Sequence, residues 1–181
     1  MRWRLLINSR IAFASFLLFI VIAASCNRSN EKQRVVNQEQ LRESLIRANI
    51  VVRMTEDEQI DDFAERRCWN LEKTGSGLRY LIYRHGEGIY GKEGMTAVVN
   101  YTLKSISGDI IYTSAESGPM KFLIGKGGVE SGLEEAILLL KVGDKAKIII
   151  PSHLGYGLAG DGHKIPPKST LIYDLEVLEI N

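Results

Sequence analysis

The chain has 181 residues, 45% hydrophobic and 25% charged, with 17 Gly, 4 Pro and 2 Cys. These proportions exclude a collagenous, low-complexity or disulfide-stapled protein and fit one globular domain with an appendage. With 23 basic and 22 acidic residues the formal charge is +1, so there is no broad positive field to gather the phosphates of a nucleic acid.

In chain order, residues 1–25 stand apart. Arg2, Arg4 and Arg10 supply positive charge without an acid, Ile11 to Ala24 is an apolar run broken only by Ser15, and Ala23, Ala24 and Ser25 are small. This is the pattern of a secretory signal, and the run is too short for a membrane span. Cys26 follows at once, and Ala-Ala-Ser-Cys resembles the lipobox of bacterial lipoproteins, which implies acylation of Cys26 and a membrane anchor. The same small residues also satisfy an ordinary signal peptidase, which would release the chain. Removal of residues 1–25 leaves 20 basic and 22 acidic residues over 156 positions, which disfavours nucleic acid further. Cys68 would then be the one remaining thiol; beside Trp69 it reads as a buried small hydrophobe.

Residues 26–40 carry Val35 and Val36 as their only aliphatic side chains and read as a polar tether. A helical extension is expected over 41–74. Leu41, Leu45, Ala48 and Val52 share one helical face, giving a first helix from about Gln38 to Arg53. Thr55 and Glu58 form a capping box that should start a second helix, with Ile60, Phe63 and Ala64 on one side and an end before Gly75.

From residue 75 to 181 short apolar runs alternate with Gly-rich turns. Strands are expected at Leu78 to Tyr83, Thr96 to Lys104, Ile110 to Tyr112, Lys121 to Ile124, Ala146 to Ile150 and Leu171 to Leu178. In the last, Leu171, Tyr173, Leu175 and Val177 face one way and Asp174 and Glu176 the other, as in a half-solvated antiparallel strand. Leu133, Ala136, Ile137 and Leu140 define one short helix stopped by Gly143. The expected class is therefore α+β, a curled antiparallel sheet wrapped over one short helix, with an N-terminal helical extension.

No motif for metal, phosphate or covalent chemistry emerges. Gly125-Lys126-Gly127-Gly128 lacks the Gly-Lys-Ser/Thr of a phosphate loop, Ser131 lacks the Gly-x-Ser-x-Gly frame, and His85, His153 and His163 are dispersed. No cofactor is expected.

Taken together, SGLRYLIYRHGEG, VVNYTL, KFLIGKGGVESGLEEAILLLKVGDKAKIIIPSHLGYG and KIPPKSTLIYDLEVL resemble, in order and spacing, the FKBP-type peptidyl-prolyl cis-trans isomerases. The combination with a secretion signal and helical segment is also similar to gliding-motility-associated isomerase lipoproteins of Gram-negative bacteria. The resemblance implies a proline-binding pocket. Tyr156, Tyr101 and Tyr173 would be catalytic, and Tyr112, Thr113, Met120, Val129, Glu130, Leu133 and Ile165 would bind substrate. The Tyr156 hydroxyl and the Glu130 amide would hold substrate carbonyls. Thr113 stands where an acid normally follows the pocket aromatic, Glu130 where Ile is usual, Leu133 where Trp is common, and Asp161-Gly162-His163-Lys164 replaces a more apolar loop tip. A Glu130 carboxylate at the pocket rim would favour Lys or Arg beside the proline and disfavour apolar macrocycles.

The implied activity is isomerisation of X-Pro bonds in proteins of the bacterial envelope or in exported proteins, aiding their folding. Partners would be proline-containing polypeptides and a membrane through the lipid, with no nucleic acid; the apolar stripe of the helical extension would either pair with a second copy or cover the isomerase domain in cis. Two alternatives stay open: a catalytically weak proline-binding chaperone, and a structural component of a motility or secretion assembly.

Overall fold

The computed structural model describes residues 29–181, with side-chain surroundings from residue 38 onward. The signal at 1–25 and Cys26 lie outside the described residues. Backbone packing divides the chain into two compact units, one ending at Val52 and the other running from Arg53 to Asn181.

The N-terminal segment differs from expectation. In place of a tether and two helices there is one helix, α1 (Ser29–Glu65). No Gly or Pro interrupts that span, and its Glu, Gln, Arg, Leu and Ala are strong helix formers. Thr55 and Glu58 therefore sit inside a helix that is already running. Within residues 38–52 Leu41, Leu45, Val52 and their neighbours are exposed, and Arg47 pairs with Glu43 at 3.3 Å one turn away. Among the described residues no helix is long and apolar enough to cross a membrane.

The end of α1 also corrects the reading of Cys68. The Trp69 amide donates to Ala64 O at 3.0 Å and the Cys68 amide to Glu65 O at 2.9 Å, the paired bonds of a Schellman cap. Such a cap needs a left-handed residue at its turn. Cys68 takes that conformation with φ 55 and is exposed. The turn instead brings the Trp69 ring edge-on to Phe63 at 5.7 Å.

Beyond it the strands are β1 (Glu72–Lys73), β2 (Arg79–Arg84), β3 (Thr96–Ser105), β4 (Ile110–Thr113), β5 (Met120–Leu123), β6 (Lys145–Ile150) and β7 (Leu171–Ile180). The sheet order is β1-β2-β6-β7-β3-β4, with β5 also paired to β3, and every pairing is antiparallel. Two short helices accompany the strands, α2 (Ser114–Ser117) and α3 (Ser131–Leu139). Leu133, Ala136, Ile137 and Leu140 are at most 1% exposed and pack with Leu103, Ile148, Ile150, Tyr173 and Val177 in the main core. Gly132 allows that approach, since a Cβ there would lie 2.4 Å from Ile150 Cγ2.

The other face of the sheet is less solvated than the alternation of β7 suggests. Ile149 and Ile172 are directly opposite in register, and both are buried with Ile60 and Phe63 of α1 in a second cluster. Burying side chains of this size is worth about 1.5–3 kcal/mol each. Beside them Arg79 is 2% exposed, its guanidinium 2.8 Å from Asp61 and 3.1 Å from Asp57, while Gly77 O accepts from it at 3.0 Å. Residues from Arg53 onward thus complete the sheet domain, holding it between α3 and the end of α1.

Candidate active site

Six segments contribute residues to the site. Tyr101 and Tyr173 come from β3 and β7, neighbours in the sheet, and their rings meet at 6.0 Å between centroids with a 49° tilt. Tyr112 of β4, Met120 of β5 and Val129 are half-buried against the cluster that contains Leu133, Ile165 and Tyr173. Leu133 is fully buried, so it serves as floor and not as wall. Tyr156 lies in the long loop between β6 and β7 and is 36% exposed.

Thr113 meets this group through the backbone of Tyr101. Its hydroxyl accepts from the Ala115 amide at 3.3 Å, capping α2, and donates to Tyr101 O at 3.3 Å. Ser114 Oγ accepts from the Tyr101 amide at 3.0 Å. The turn after Tyr112 therefore fixes the Tyr101 backbone. The acid absent at 113 has a counterpart at Asp161, which accepts the Tyr112 hydroxyl at 2.5 Å and the Ile165 and His163 amides at 2.8 Å each. Burial pushes Asp161 upward, but those bonds outweigh it and hold the carboxyl at about 2. The bond to Asp161 in turn raises Tyr112 above its ordinary range. Lys164 lies 5.3 Å over the Tyr112 ring and donates to Ile111 O, so the loop tip closes on Tyr112. Gly160 permits the fold-back: its φ is +70 and a Cβ would stand 2.3 Å from Ile165 O.

Glu130 is the largest departure from expectation. Its side chain is not at the rim. The residue is 9% exposed and its carboxylate accepts the hydroxyl of Tyr173, itself 1% exposed, at 2.9 Å. Burial and then this carboxylate raise Tyr173 well above the normal phenol range. Burial, with Glu130 next, raises Tyr156 as well. Glu130 O accepts from the Leu133 and Glu134 amides, whereas its own amide has no acceptor among the described residues. Sequence reasoning could anticipate the available amide but not the inward carboxylate.

The arrangement is an aromatic pocket with the partly exposed Tyr156 phenol beside Glu130, a main-chain amide free to donate, and two carboxylates engaged by tyrosines. Among the described residues no group of three His, Cys, Asp or Glu could hold a metal.

The family model described as FKBP-type peptidyl-prolyl cis-trans isomerase matches residues 89–178. FK506-binding protein 2 of Dictyostelium discoideum is 43% identical over 91 residues, which are 50% of this chain and 68% of that protein. The chain belongs to the FKBP-type peptidyl-prolyl cis-trans isomerase family. A probable FKBP-type isomerase of Haemophilus influenzae is 41% identical over 113 residues, 62% of this chain and 46% of that protein. The FKBP-type 22 kDa isomerase of Escherichia coli is 39% identical over 111 residues, 61% of this chain and 53% of that protein. This chain thus spans about half the length of these two bacterial relatives. Among solved structures, AtFKBP13 matches with a TM-score of 0.59 at 30% identity, over 62% of this chain and 99% of that one. FkpA from Escherichia coli matches with a TM-score of 0.59 at 29% identity, over 82% of this chain and 72% of that one. The FKBP-type fold, expected as a curled antiparallel sheet over one short helix, is therefore established for residues that include the site.

Proposed function

We propose that this chain catalyses cis–trans isomerisation of X-Pro bonds in envelope or exported polypeptides, held to a membrane through lipid on Cys26. The observation that carries the catalytic reading is the convergence of Tyr101, Tyr112 and Tyr173 with the Tyr156 hydroxyl and the unengaged Glu130 amide. Rotation about an X-Pro bond faces a barrier of about 18–20 kcal/mol because amide resonance is lost. Twisting also removes charge separation between carbonyl oxygen and nitrogen, so an apolar aromatic pocket favours the twisted state over the planar one. Tyr156 and the Glu130 amide would hold neighbouring carbonyls while the proline ring turns. An acceleration of about 10⁴ requires about 5.4 kcal/mol, within reach of such contacts.

One observation favours a second reading, a proline-binding chaperone with little catalysis: the Glu130 carboxylate makes the pocket more polar than the usual Ile would. A protease-free isomerisation assay on the chain from residue 27 separates the two. Turnover that falls on the order of tenfold in Tyr156→Phe supports catalysis; peptide binding without turnover supports the chaperone.

The finer assignments have their own tests. Labelled fatty acid should enter the wild type and not Cys26→Ala, and a chain that starts at Cys26 without acyl mass defeats the anchor. Pairing of two copies is supported by Leu41, Leu45, Ala48 and Val52, whose 4-3-4 spacing is that of a coiled-coil seam and whose side chains are exposed. Leu45→Lys should halve the mass in sedimentation; an unchanged mass refutes the pairing.

A further inference from the structure

A single carboxylate of α1 gathers three donors from the site domain. Glu56 Oε1 accepts the Ser152 amide at 2.7 Å and the Thr170 hydroxyl at 2.7 Å, and Oε2 accepts the Ser152 hydroxyl at 2.9 Å. Ser152 and Thr170 are buried, at 8% and 6% exposure. They are also the two feet of one loop. Ser152 opens the 3-10 turn Ser152–Leu154 after β6, and Thr170 immediately precedes β7. Between them run Tyr156, Asp161 and Ile165, the residues with which the loop enters the site. The helix is itself fixed at the next residue and again one turn beyond it, where Asp57 and Asp61 hold the buried Arg79. Arg53, one turn earlier, reaches to 3.4 Å from His153 Nε2, beside the first foot.

A carboxylate on a two-carbon stem accepts all three donors at once. Gln keeps one acceptor oxygen but sets an amide donor against the Ser152 hydroxyl, which must then turn to accept, and the charge is lost; Asp is one methylene shorter. Fastening both ends of a loop restricts the positions its middle can sample, and catalytic geometry tolerates little displacement of a donor.

We propose that Glu56, outside the segment 89–178 that matches the family, is a positioning residue for isomerisation, tying both feet of the Ser152–Thr170 loop so that the Tyr156 hydroxyl stands where a substrate carbonyl needs it. This inference rests on the catalytic reading above. It makes α1 part of the enzyme and not only a spacer.

The test uses the chain from residue 27 as wild type, Glu56→Ala, Glu56→Gln, Tyr156→Phe and the two Glu56 variants combined with Tyr156→Phe. Glu56→Ala should lower kcat/KM on the order of tenfold, with Glu56→Gln between it and wild type. In the Tyr156→Phe background the same changes should cost less than about twofold, because the hydroxyl they misplace is already gone. Amide hydrogen exchange over residues 152–170 should quicken in both Glu56 variants while β3 and β7 stay protected. An equal loss of kcat/KM in both backgrounds marks a merely structural residue and overturns the proposal, as does unchanged exchange in the loop. A wild type without turnover defeats the catalytic reading instead; exchange then decides the clamp alone. If Glu56→Ala does not fold, Glu56→Gln carries both measurements.

Discussion

The bond between Tyr173 and Glu130 makes a quantitative demand on stability. Tyr173→Phe deletes one oxygen from a residue 1% exposed and leaves the Glu130 carboxylate, 9% exposed, with its 2.9 Å donor gone and little water to replace it. A hydrogen bond to a charged acceptor contributes about 1.5–3 kcal/mol. The nearby Tyr156 hydroxyl, already under the influence of Glu130, can recover part of that, so the expected loss is about 2 kcal/mol. Glu130→Gln keeps an acceptor for Tyr173 and should lose only about 0.5–1 kcal/mol. Glu130→Ile with Tyr173→Phe removes donor and acceptor together and should be less destabilised than Tyr173→Phe alone. Urea unfolding of wild type, Tyr173→Phe, Glu130→Ile and the double variant closes a double-mutant cycle, and its coupling should be on the order of 2 kcal/mol. Apolar macrocyclic inhibitors typical of the family should bind the double variant more tightly than wild type, since no carboxylate then has to be covered. A Tyr173→Phe loss below about 0.5 kcal/mol with an additive cycle would mean that Glu130 is solvated, and the inward carboxylate would be refuted.

Three further outcomes are expected. Asp161 is held at about 2 against about 3.9 for an unfolded Asp, so its contribution is complete above that unfolded value and is lost as pH falls through the folded one. Exchange in residues 156–168 should therefore quicken across that window in wild type and be indifferent to it in Asp161→Asn; identical acid profiles would free Asp161 of the role. Gly160→Ala sets a Cβ 2.3 Å from Ile165 O at φ +70, whereas Gly162→Ala at φ +75 meets nothing within 4 Å. In urea unfolding the second should cost about 1–2 kcal/mol and the first clearly more, and equal costs would show that the loop does not fold back on Ile165. Removing both partners of Arg79 in Asp57→Ala/Asp61→Ala leaves a buried guanidinium and should cost about 3 kcal/mol or more, while Arg79→Met leaves only exposed carboxylates and should cost less; the reverse order, read from the same unfolding curves, would contradict the ion-pair geometry.

Much of the strand pattern can be read directly from the chain because each strand carries its own burial code. Leu171, Tyr173, Leu175 and Val177 alternate with polar neighbours, and Leu133, Ala136, Ile137 and Leu140 recur at the helical period. Such spacing determines which face a segment can bury wherever it ends up. The same local logic failed at Thr55 and Glu58, because a capping box has the same residues whether a helix begins there or runs through. It failed at Cys68 because a left-handed cap exposes a residue whose type suggests burial.

Residues 75–181 carried the family's motifs, and with them the positions of Tyr101, Tyr112, Tyr156 and Tyr173. The direction of the Glu130 side chain, the bond from Tyr112 to Asp161 and the three donors on Glu56 were decided by tertiary structure alone. These partners lie 43, 49, 96 and 114 residues apart, beyond the reach of any periodicity. A carboxylate has no preferred face of its own: whether it is solvated or drawn inside depends on which hydroxyl or amide the packed sheet holds within about 3 Å of it.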